Sequence, residues 1–195
     1  MIAFVRGQFV VKTTTRVVVD VNGVGYDLQI SLNTYSAIST KESGLLFTHL
    51  QITENAHTLF GFAELAEKEM FMQLISVSGV GASTARMMLS GMRPDEIARA
   101  IVQGNTKQLE SVKGIGKKSA ERLIVELRDK LSKQSFETGA SGTSVIVSID
   151  SDAVHALVAL GIGRPMAEQA VKKTVSSLTP GASLEEIIKQ ALKNL

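Results

Sequence analysis

The chain has 195 residues, of which 44% are hydrophobic and 21% charged, as in ordinary folded proteins. A formal net charge of only +2 does not point to nucleic acid, a polybasic membrane segment or an acidic tail. The absence of Cys excludes disulfides, thiol catalysis and Cys-based zinc sites. With no long apolar run and no signal-like start, we expect a cytoplasmic protein with no membrane segment.

Residues 1–63 have the pattern of short β-strands. Two β-branched runs, 17–21 and 24–30, flank Asn22-Gly23, which strongly indicates a hairpin because both turn positions need positive φ. Further strands are predicted over 2–11, 45–52 and 58–62. Five short strands joined by tight turns indicate a small barrel.

From Glu64 the apolar residues recur at helical spacing. Pro94, followed by two acidic residues, predicts a helix start, and Gly104-Asn105 predicts an end followed by a new cap. The clearest helix extends from about Lys117 to Leu131. Residues 64–134 therefore form a helical region.

The last third of the chain changes composition twice. Residues 135–149 are rich in Ser, Gly and Thr and are predicted to be a flexible linker. Residues 150–195 return to helical spacing in three short segments, the last of which begins with a capping box formed by Ser183 and Glu186. This segment is predicted to be a small three-helix domain.

One internal repeat stands out within the helical region. Residues 74–85 align without gaps with residues 109–120, and Leu, Ser, Val, two Gly and Ala coincide. Each copy reads as a short helix, a Gly-apolar-Gly turn and a second helix. The turn residues are Gly79, Val80 and Gly81 in the first copy and Gly114, Ile115 and Gly116 in the second.

The glycines of each turn allow positive φ and close approach of a ligand to the backbone. The amides of the turn and of the next helix then point outward together and, with the helix dipole, favour an anion such as a nucleic-acid phosphate. Lys117, Lys118 and Arg122 add positive charge around the second copy. The alternative is that Gly-x-Gly simply permits a tight connection between helices, but two gap-free copies favour phosphate binding.

Other glycine-rich motifs do not fit. A Walker A loop would need Gly at position 111, which is Ser, and a dinucleotide fingerprint would need a third Gly where Thr84 and Ser119 stand. Gly161-Ile162-Gly163 lacks the lead-in of the other two copies and is interpreted as a plain helix connection. We therefore expect no bound cofactor and no metal.

The sequence resembles the bacterial RuvA family. The resemblance rests on residues 74–81, 89–92 and, most specifically, 114–127 (GIGKKSAERLIVEL), with further matches at 21–26, 59–62 and 156–161. It implies an α+β protein of several domains in three parts: an oligonucleotide-binding-type barrel over 1–63, two helix-hairpin-helix motifs over 64–134, and a mobile three-helix, UBA-like domain over 150–195.

The resemblance also implies a function. RuvA-like proteins form homotetramers, one or two per site, that hold a four-way Holliday junction open. They recruit a hexameric RuvB-type ATPase for branch migration in recombination and repair, and a RuvC-type resolvase is a further implied partner. By position, Leu157, Leu160 and Ile162 would contact the motor, although a packed helix face is an equally good interpretation.

The family also implies an acidic pin at the junction centre, matched here by Glu54 and Asn55. Asn55 replaces the usual second carboxylate and halves the negative charge that would separate the crossing strands. Ser83 stands where many relatives have Lys and removes one phosphate-binding charge from the first hairpin.

Two rival functions remain from the residues alone: a DNA-processing enzyme, either a glycosylase or a nuclease, and a generic nucleic-acid adaptor. A glycosylase would need a positioned Asp or Lys and aromatic residues for a flipped base, but Trp is absent and aromatics make up only 5%. A metal nuclease would need converging carboxylates, whereas Glu64 and Glu67 more simply cover a helix start. We expect no catalysis by this chain alone. A generic adaptor for RNA or ordinary duplex is the other alternative.

The near-neutral net charge conceals an uneven distribution. Residues 64–134 hold twelve Lys and Arg against nine Asp and Glu, whereas residues 1–63 are balanced and residues 135–195 are slightly acidic. The positive excess thus falls on the part that carries both hairpins.

Overall fold

The computed structural model describes residues 1–138, 149–177 and 182–194. The chain divides into two compact units, residues 1–138 and 139–195. The first unit contains a β-barrel and a helical bundle, and the described residues of the second form three helices. No helix of the described residues is long and apolar enough to cross a membrane.

The barrel is closed by five strands, as the sequence predicts. They are β1 (Phe4–Thr13), β2 (Arg16–Val21), β3 (Val24–Ile30), β4 (Ser43–Ile52) and β5 (His57–Phe62). The order around the barrel is β1-β2-β3-β5-β4, and only the β3–β5 pair is parallel. Alternate apolar side chains fill its interior, with Val17, Val19 and Leu28 fully buried.

The predicted Asn-Gly hairpin between β2 and β3 is confirmed. Asn22 and Gly23 have φ of 51° and 89°, as a two-residue turn of this kind requires. The side chain of Asp20 accepts a 2.7 Å hydrogen bond from the Gly23 N–H and so fixes the turn. The register of the two strands follows from it, with Val21 opposite Val24.

A short helix that the sequence analysis does not predict, α1 (Leu32–Ile38), links β3 to β4. Ser31 caps it by accepting a hydrogen bond from the Thr34 N–H at 3.0 Å. The Asn33 side chain donates to the carbonyl oxygens of Leu89 and Met92, at 2.6 and 3.0 Å. Helix α1 therefore joins the barrel to the helical bundle.

The bundle consists of α2 (Leu65–Ile75), α3 (Ala82–Gly91), α4 (Pro94–Val102), α5 (Thr106–Glu110) and α6 (Lys117–Thr138), which share one apolar core. Pro94 begins α4, as predicted. Gly104, with φ of 69°, ends that helix, and the Asn105 side chain caps α5 by accepting from the Gln108 N–H at 3.2 Å. The predicted stop and new cap are both confirmed.

Helix α6 extends further than the sequence indicates. It continues to Thr138, so the first four residues of the predicted 135–149 linker are helical. Residues 139–148, which make up most of that linker, lie outside the described residues.

The second unit contains α7 (Ile149–Ala159), α8 (Arg164–Ser177) and α9 (Leu184–Lys193) around a small core. The predicted capping box is confirmed: the Ser183 N–H donates to Glu186 Oε2 at 3.0 Å, and the Glu186 N–H donates to Ser183 Oγ at 3.3 Å. These bonds hold the pKa of the Glu186 carboxyl below its usual range.

Gly161 ends α7 as a C-cap glycine. Its φ is 92°, its N–H donates to Val158, and the Ile162 N–H reaches back to the Leu157 carbonyl at 3.1 Å. This pair of bonds is the Schellman arrangement. In the other two turns, by contrast, the residue after the glycine donates to a carbonyl only three residues earlier. The hydrogen bonds around Gly161 therefore differ from those around Gly79 and Gly114, in line with its interpretation as a helix connection.

A buried carboxylate joins the barrel to the bundle. Glu67 on α2 is only 3% exposed and accepts hydrogen bonds from the hydroxyls of Ser31 and Thr34, the latter at 2.6 Å. Thr34 Oγ1 in turn accepts from the Ala63 N–H at 3.0 Å. Burial raises the pKa of Glu67, although the two hydroxyl donors oppose the shift.

The stability of the first unit should therefore depend on pH through Glu67. The folded protein holds the proton of the Glu67 carboxyl more tightly than the unfolded chain does. The contribution of Glu67 to the free energy of unfolding is therefore greatest below the ordinary pKa of 4.5. The contribution falls as the pH rises through the folded pKa. Glu67→Gln removes this decrease, so the free energy of unfolding of the variant, relative to wild type, should increase with pH.

The free energy of unfolding of the first unit can be measured at each pH by urea unfolding, with tyrosine fluorescence as the signal. Both tyrosines, Tyr26 and Tyr35, lie in the first unit. Glu69→Gln, at an exposed position on the same helix, is the matched control. A difference between the Glu67 variant and wild type that is constant from pH 4 to 7 would contradict the buried-carboxyl account.

Candidate nucleic-acid interface

The two hairpins of the bundle have the same backbone geometry. The N–H groups of Val77, Val80 and Ala85 donate to the carbonyls of Leu74, Val77 and Gly81, and those of Val112, Ile115 and Ala120 donate to Leu109, Val112 and Gly116. Even the serine before each turn repeats: Ser76 and Ser111 each donate through Oγ to a carbonyl three residues earlier, at 2.7 Å. The sequence repeat is therefore a structural repeat.

The two glycines of each turn have different roles. Gly79 and Gly114 have φ of 89° and 94°, in the left-handed region that favours glycine. Gly81, by contrast, has φ of −81° and is the N-cap of α3. The expectation that both glycines use positive φ is wrong for the second one, which any residue could occupy on backbone grounds.

Val80 and Ile115 lie inside the protein rather than on its surface. Each side chain is 5% exposed, and each backbone N–H already donates within its own turn, at 3.0 and 3.1 Å. Their side chains pack into the core and hold the loop down, so a contact with phosphate at these two positions would have to come from the main chain. The exposed surface is formed by the residues around them.

The exposed donors lie at the starts of α3 and α6. Gly81 caps α3 without a side chain, so the first amides of the helix, including that of Ser83, have no side-chain acceptor from the cap. A Cβ built on Gly81 or Gly116 would meet no atom within 4 Å. Each hairpin thus presents open space, orphan amides and the positive end of a helix dipole, which together suit an anion.

The charge around the two hairpins differs. Lys117 and Lys118 are exposed and make no ion pair with any described residue, whereas Arg122 is paired with Glu126 on its own helix at 2.8 Å. Lys113 is a further exposed cation, just before the second turn, that the sequence analysis missed. The repeat alignment could have found it, since Ser78 is its neutral equivalent in the first copy.

Two other arginines of the bundle have structural partners. Arg128 Nε donates to the Val102 carbonyl at 3.0 Å, at the end of α4. Arg86 on α3 donates to the Thr15 carbonyl at 3.2 Å and to the Gln29 side chain. Part of the positive excess of the bundle therefore holds its elements together.

Glu54 and Asn55 lie at the tip of the β4–β5 hairpin. The turn is closed by Thr53, whose N–H and Oγ1 both donate to the Ala56 carbonyl at 2.9 Å. Both tip residues are exposed. One carboxylate per chain thus projects from this end of the barrel.

The predicted motor-contact residues separate in the structure. Leu157 is fully buried in the core of the second unit, so it belongs to the packed helix face that was the alternative interpretation. Leu160 is 65% exposed, and Ile162 is partly buried. Val158 and Met166, at 40% and 56%, are exposed apolar residues nearby in sequence that the sequence analysis missed.

Three family models match successive parts of the chain. They are the RuvA N terminal domain over residues 1–61, the SAM-like helix-hairpin-helix tandem over 71–129 and the RuvA C-terminal domain over 149–195.

Relatives of full length carry the name Holliday junction branch migration complex subunit RuvA. One from Flavobacterium psychrophilum is 47% identical over 195 residues, covering 100% of both chains. Others from Cytophaga hutchinsonii and Neisseria gonorrhoeae are 44% and 43% identical and cover 99% or more of each chain. With the barrel, the paired hairpins and the small helical unit all in place, this similarity shows that the chain belongs to the RuvA family.

Proposed function

We propose that this chain binds four-way DNA junctions as a homotetramer, holds them open and recruits a hexameric RuvB-type ATPase for branch migration. The observation that carries the proposal is the pair of hairpins with repeated hydrogen bonds, each with exposed amides at a helix start. The names of the full-length relatives support the same function. The chain itself supplies binding and geometry, and the motor supplies the energy.

Each hairpin binds a backbone phosphate through the amides around its second glycine, Gly81 or Gly116. Lys117 and Lys118, with Lys113, strengthen the second hairpin through charge and counterion release. Amide and lysine contacts to phosphate position a duplex without reading its sequence. Such contacts suit a protein that must hold DNA while the junction moves through many sequences.

The acidic pin acts by repulsion. Four chains would bring four Glu54 carboxylates near the crossover, where they disfavour close approach of phosphates and keep the exchanging strands apart. Asn55 adds a polar but neutral group, so the pin of this protein has half the charge of a Glu-Asp pair. Its position at the tip of the β4–β5 hairpin is held by the hydrogen bonds between Thr53 and Ala56.

The second unit supplies the contact with the motor. Leu160 is the candidate residue that remains well exposed, and Val158 and Met166 are further exposed apolar residues of the same unit. Leu157 lies in the core of this unit, and Ile162 is partly buried against that core. An apolar surface of this kind fits a protein partner better than DNA.

The proposal is tested by comparing the affinity of the full chain for a four-way junction with that for a linear duplex of equal length. We expect clearly tighter binding to the junction at moderate salt, and a mass of four chains of 20.9 kDa, free or bound. Equal affinities would favour the adaptor alternative. A mass measured with junction DNA also decides between one tetramer and two.

Paired glycine substitutions separate folding from binding. Gly114→Ala puts a side chain at a positive φ and should cost about 1–2 kcal/mol of stability. Gly116 has open space for a side chain and no positive φ, so Gly116→Leu should lower the stability by less than about 1 kcal/mol. Its bulk covers the amides, however, and should weaken junction binding about tenfold.

Thermal unfolding measures the stability of both variants, and titration with junction DNA measures their affinity. Gly79→Ala and Gly81→Leu are the equivalent variants of the first hairpin. If the Leu variants bind as wild type does, the amides at the helix starts are not the phosphate contacts.

Adding charge to the first hairpin should change the salt dependence. Ser83→Lys supplies one more cation beside the amides of α3, so the slope of log affinity against log salt should steepen by about 0.9 for each additional phosphate that is neutralised. Ser36→Lys, which adds the same charge at an exposed position of α1, is the control. Equal slopes for wild type and the Ser83 variant would show that position 83 does not face phosphate.

A further inference from the structure

Helix α3, the second helix of the first hairpin, is hydrogen-bonded to the barrel and to α1 from its middle to its C-terminal end. One turn after Ser83, Arg86 donates through Nη1 to the Thr15 carbonyl at 3.2 Å and to Oε1 of Gln29. Thr15 lies between β1 and β2, and Gln29 lies in β3. We call this set of bonds the Arg86 contact.

The C-terminal end of α3 is held by α1. Besides the Asn33 bonds to the Leu89 and Met92 carbonyls, the Leu32 N–H donates to Ser90 Oγ at 3.1 Å. Ser90 Oγ itself donates to the Arg86 carbonyl at 2.8 Å. These bonds join the middle and the C-terminal end of α3 to the barrel and to α1.

The second hairpin is held differently. Its second helix, α6, is joined through Arg128 to the end of α4 within the bundle. Among the hydrogen bonds of the described residues, the second helix of the first hairpin bonds directly to the barrel, whereas that of the second hairpin bonds within the bundle. Since the β4–β5 hairpin with Glu54 belongs to the same barrel, the Arg86 contact links the first hairpin to the pin through the sheet.

The chemistry of the Arg86 contact favours a positioning role. Both acceptors are neutral, but a charged donor makes hydrogen bonds about twice as strong as those between neutral groups. The Thr15 carbonyl also accepts from the Ile30 N–H at 3.0 Å, so it is fixed within the barrel. Among the other arginines of α3 and α4, Arg99 pairs with Asp95 at 3.3 Å on one exposed helix face and joins no second element.

We propose that Arg86 is a positioning residue for junction recognition, which sets the orientation of the first hairpin relative to the pin. This inference rests on the proposed function. A linear duplex needs only the hairpins, whereas a four-way junction must meet the hairpins and the pin at once. A fixed orientation between them therefore contributes to junction affinity and not to duplex affinity.

The test compares four full-length variants by their junction and duplex dissociation constants, and it repeats the duplex titration over a range of salt concentrations. Arg86→Met removes the contact and one charge. Gln29→Ala removes one acceptor of the contact and leaves the charge unchanged. Arg99→Met removes one charge from an exposed site outside the contact and is the matched control.

We expect Arg86→Met to lower the ratio of junction to duplex affinity about fivefold to tenfold, and Gln29→Ala to lower it by a smaller factor in the same direction. Arg99→Met should keep the wild-type ratio. Arg86→Lys can donate to one acceptor at a time and should give an intermediate ratio. The duplex salt slope should stay the same in Gln29→Ala, which removes no charge.

The inference is overturned if Gln29→Ala and Arg86→Met both keep the wild-type ratio, or if Arg86→Met and Arg99→Met change both affinities equally. Either result would mean that Arg86 acts only as a charge or not at all. Thermal unfolding of each variant shows whether the fold is retained, and Gln29→Ala decides the question if Arg86→Met does not fold. A wild-type protein with no junction preference would instead contradict the proposed function itself.

Discussion

Burial of one apolar side chain in each hairpin loop is the constraint on which the proposed interface depends. Val80 and Ile115 enter the same core and pull their loops down onto the bundle. The chain must then reverse over three residues, which requires the positive φ of Gly79 and Gly114. The next helix begins at once, with amides that no side chain of its N-cap covers. The exposed donors are thus a consequence of the buried residue between the glycines.

The sequence predicts those parts of the fold that depend on local patterns. The strand runs, the Asn22-Gly23 turn and the Ser183 capping box follow from spacing and turn chemistry within a few residues. Helix α1 does not, because only Thr34 and Ile38 of its seven residues are buried and no apolar period extends through it. Its formation depends on polar contacts with α2 and α3, which are distant in sequence.

Residues of the candidate site that depend on contacts distant in sequence could not be predicted either. Glu67 looks like an ordinary acidic residue in a first helical turn, and only the meeting with Ser31 and Thr34, more than thirty positions earlier, makes it a buried group. Arg86 reaches a carbonyl 71 positions away. Likewise, Leu157 and Leu160 are both Leu near the end of one helix, yet one is buried and the other exposed, which depends on how α7 meets its neighbours. The repeated glycine turns could be predicted because each hairpin is formed almost entirely by contiguous residues.

The two hairpins share their backbone geometry but differ in the charge that they present to a ligand. The hydrogen bonds that hold each turn join main-chain groups and one serine, and they are the same in both copies. The exposed positions differ: Ser78 and Ser83 in the first copy correspond to Lys113 and Lys118 in the second. Charge at these positions therefore differs between the two copies without disturbing the turn. A duplicated motif of this kind leaves natural selection, or a protein engineer, free to adjust how firmly each half holds its ligand while the fold stays constant.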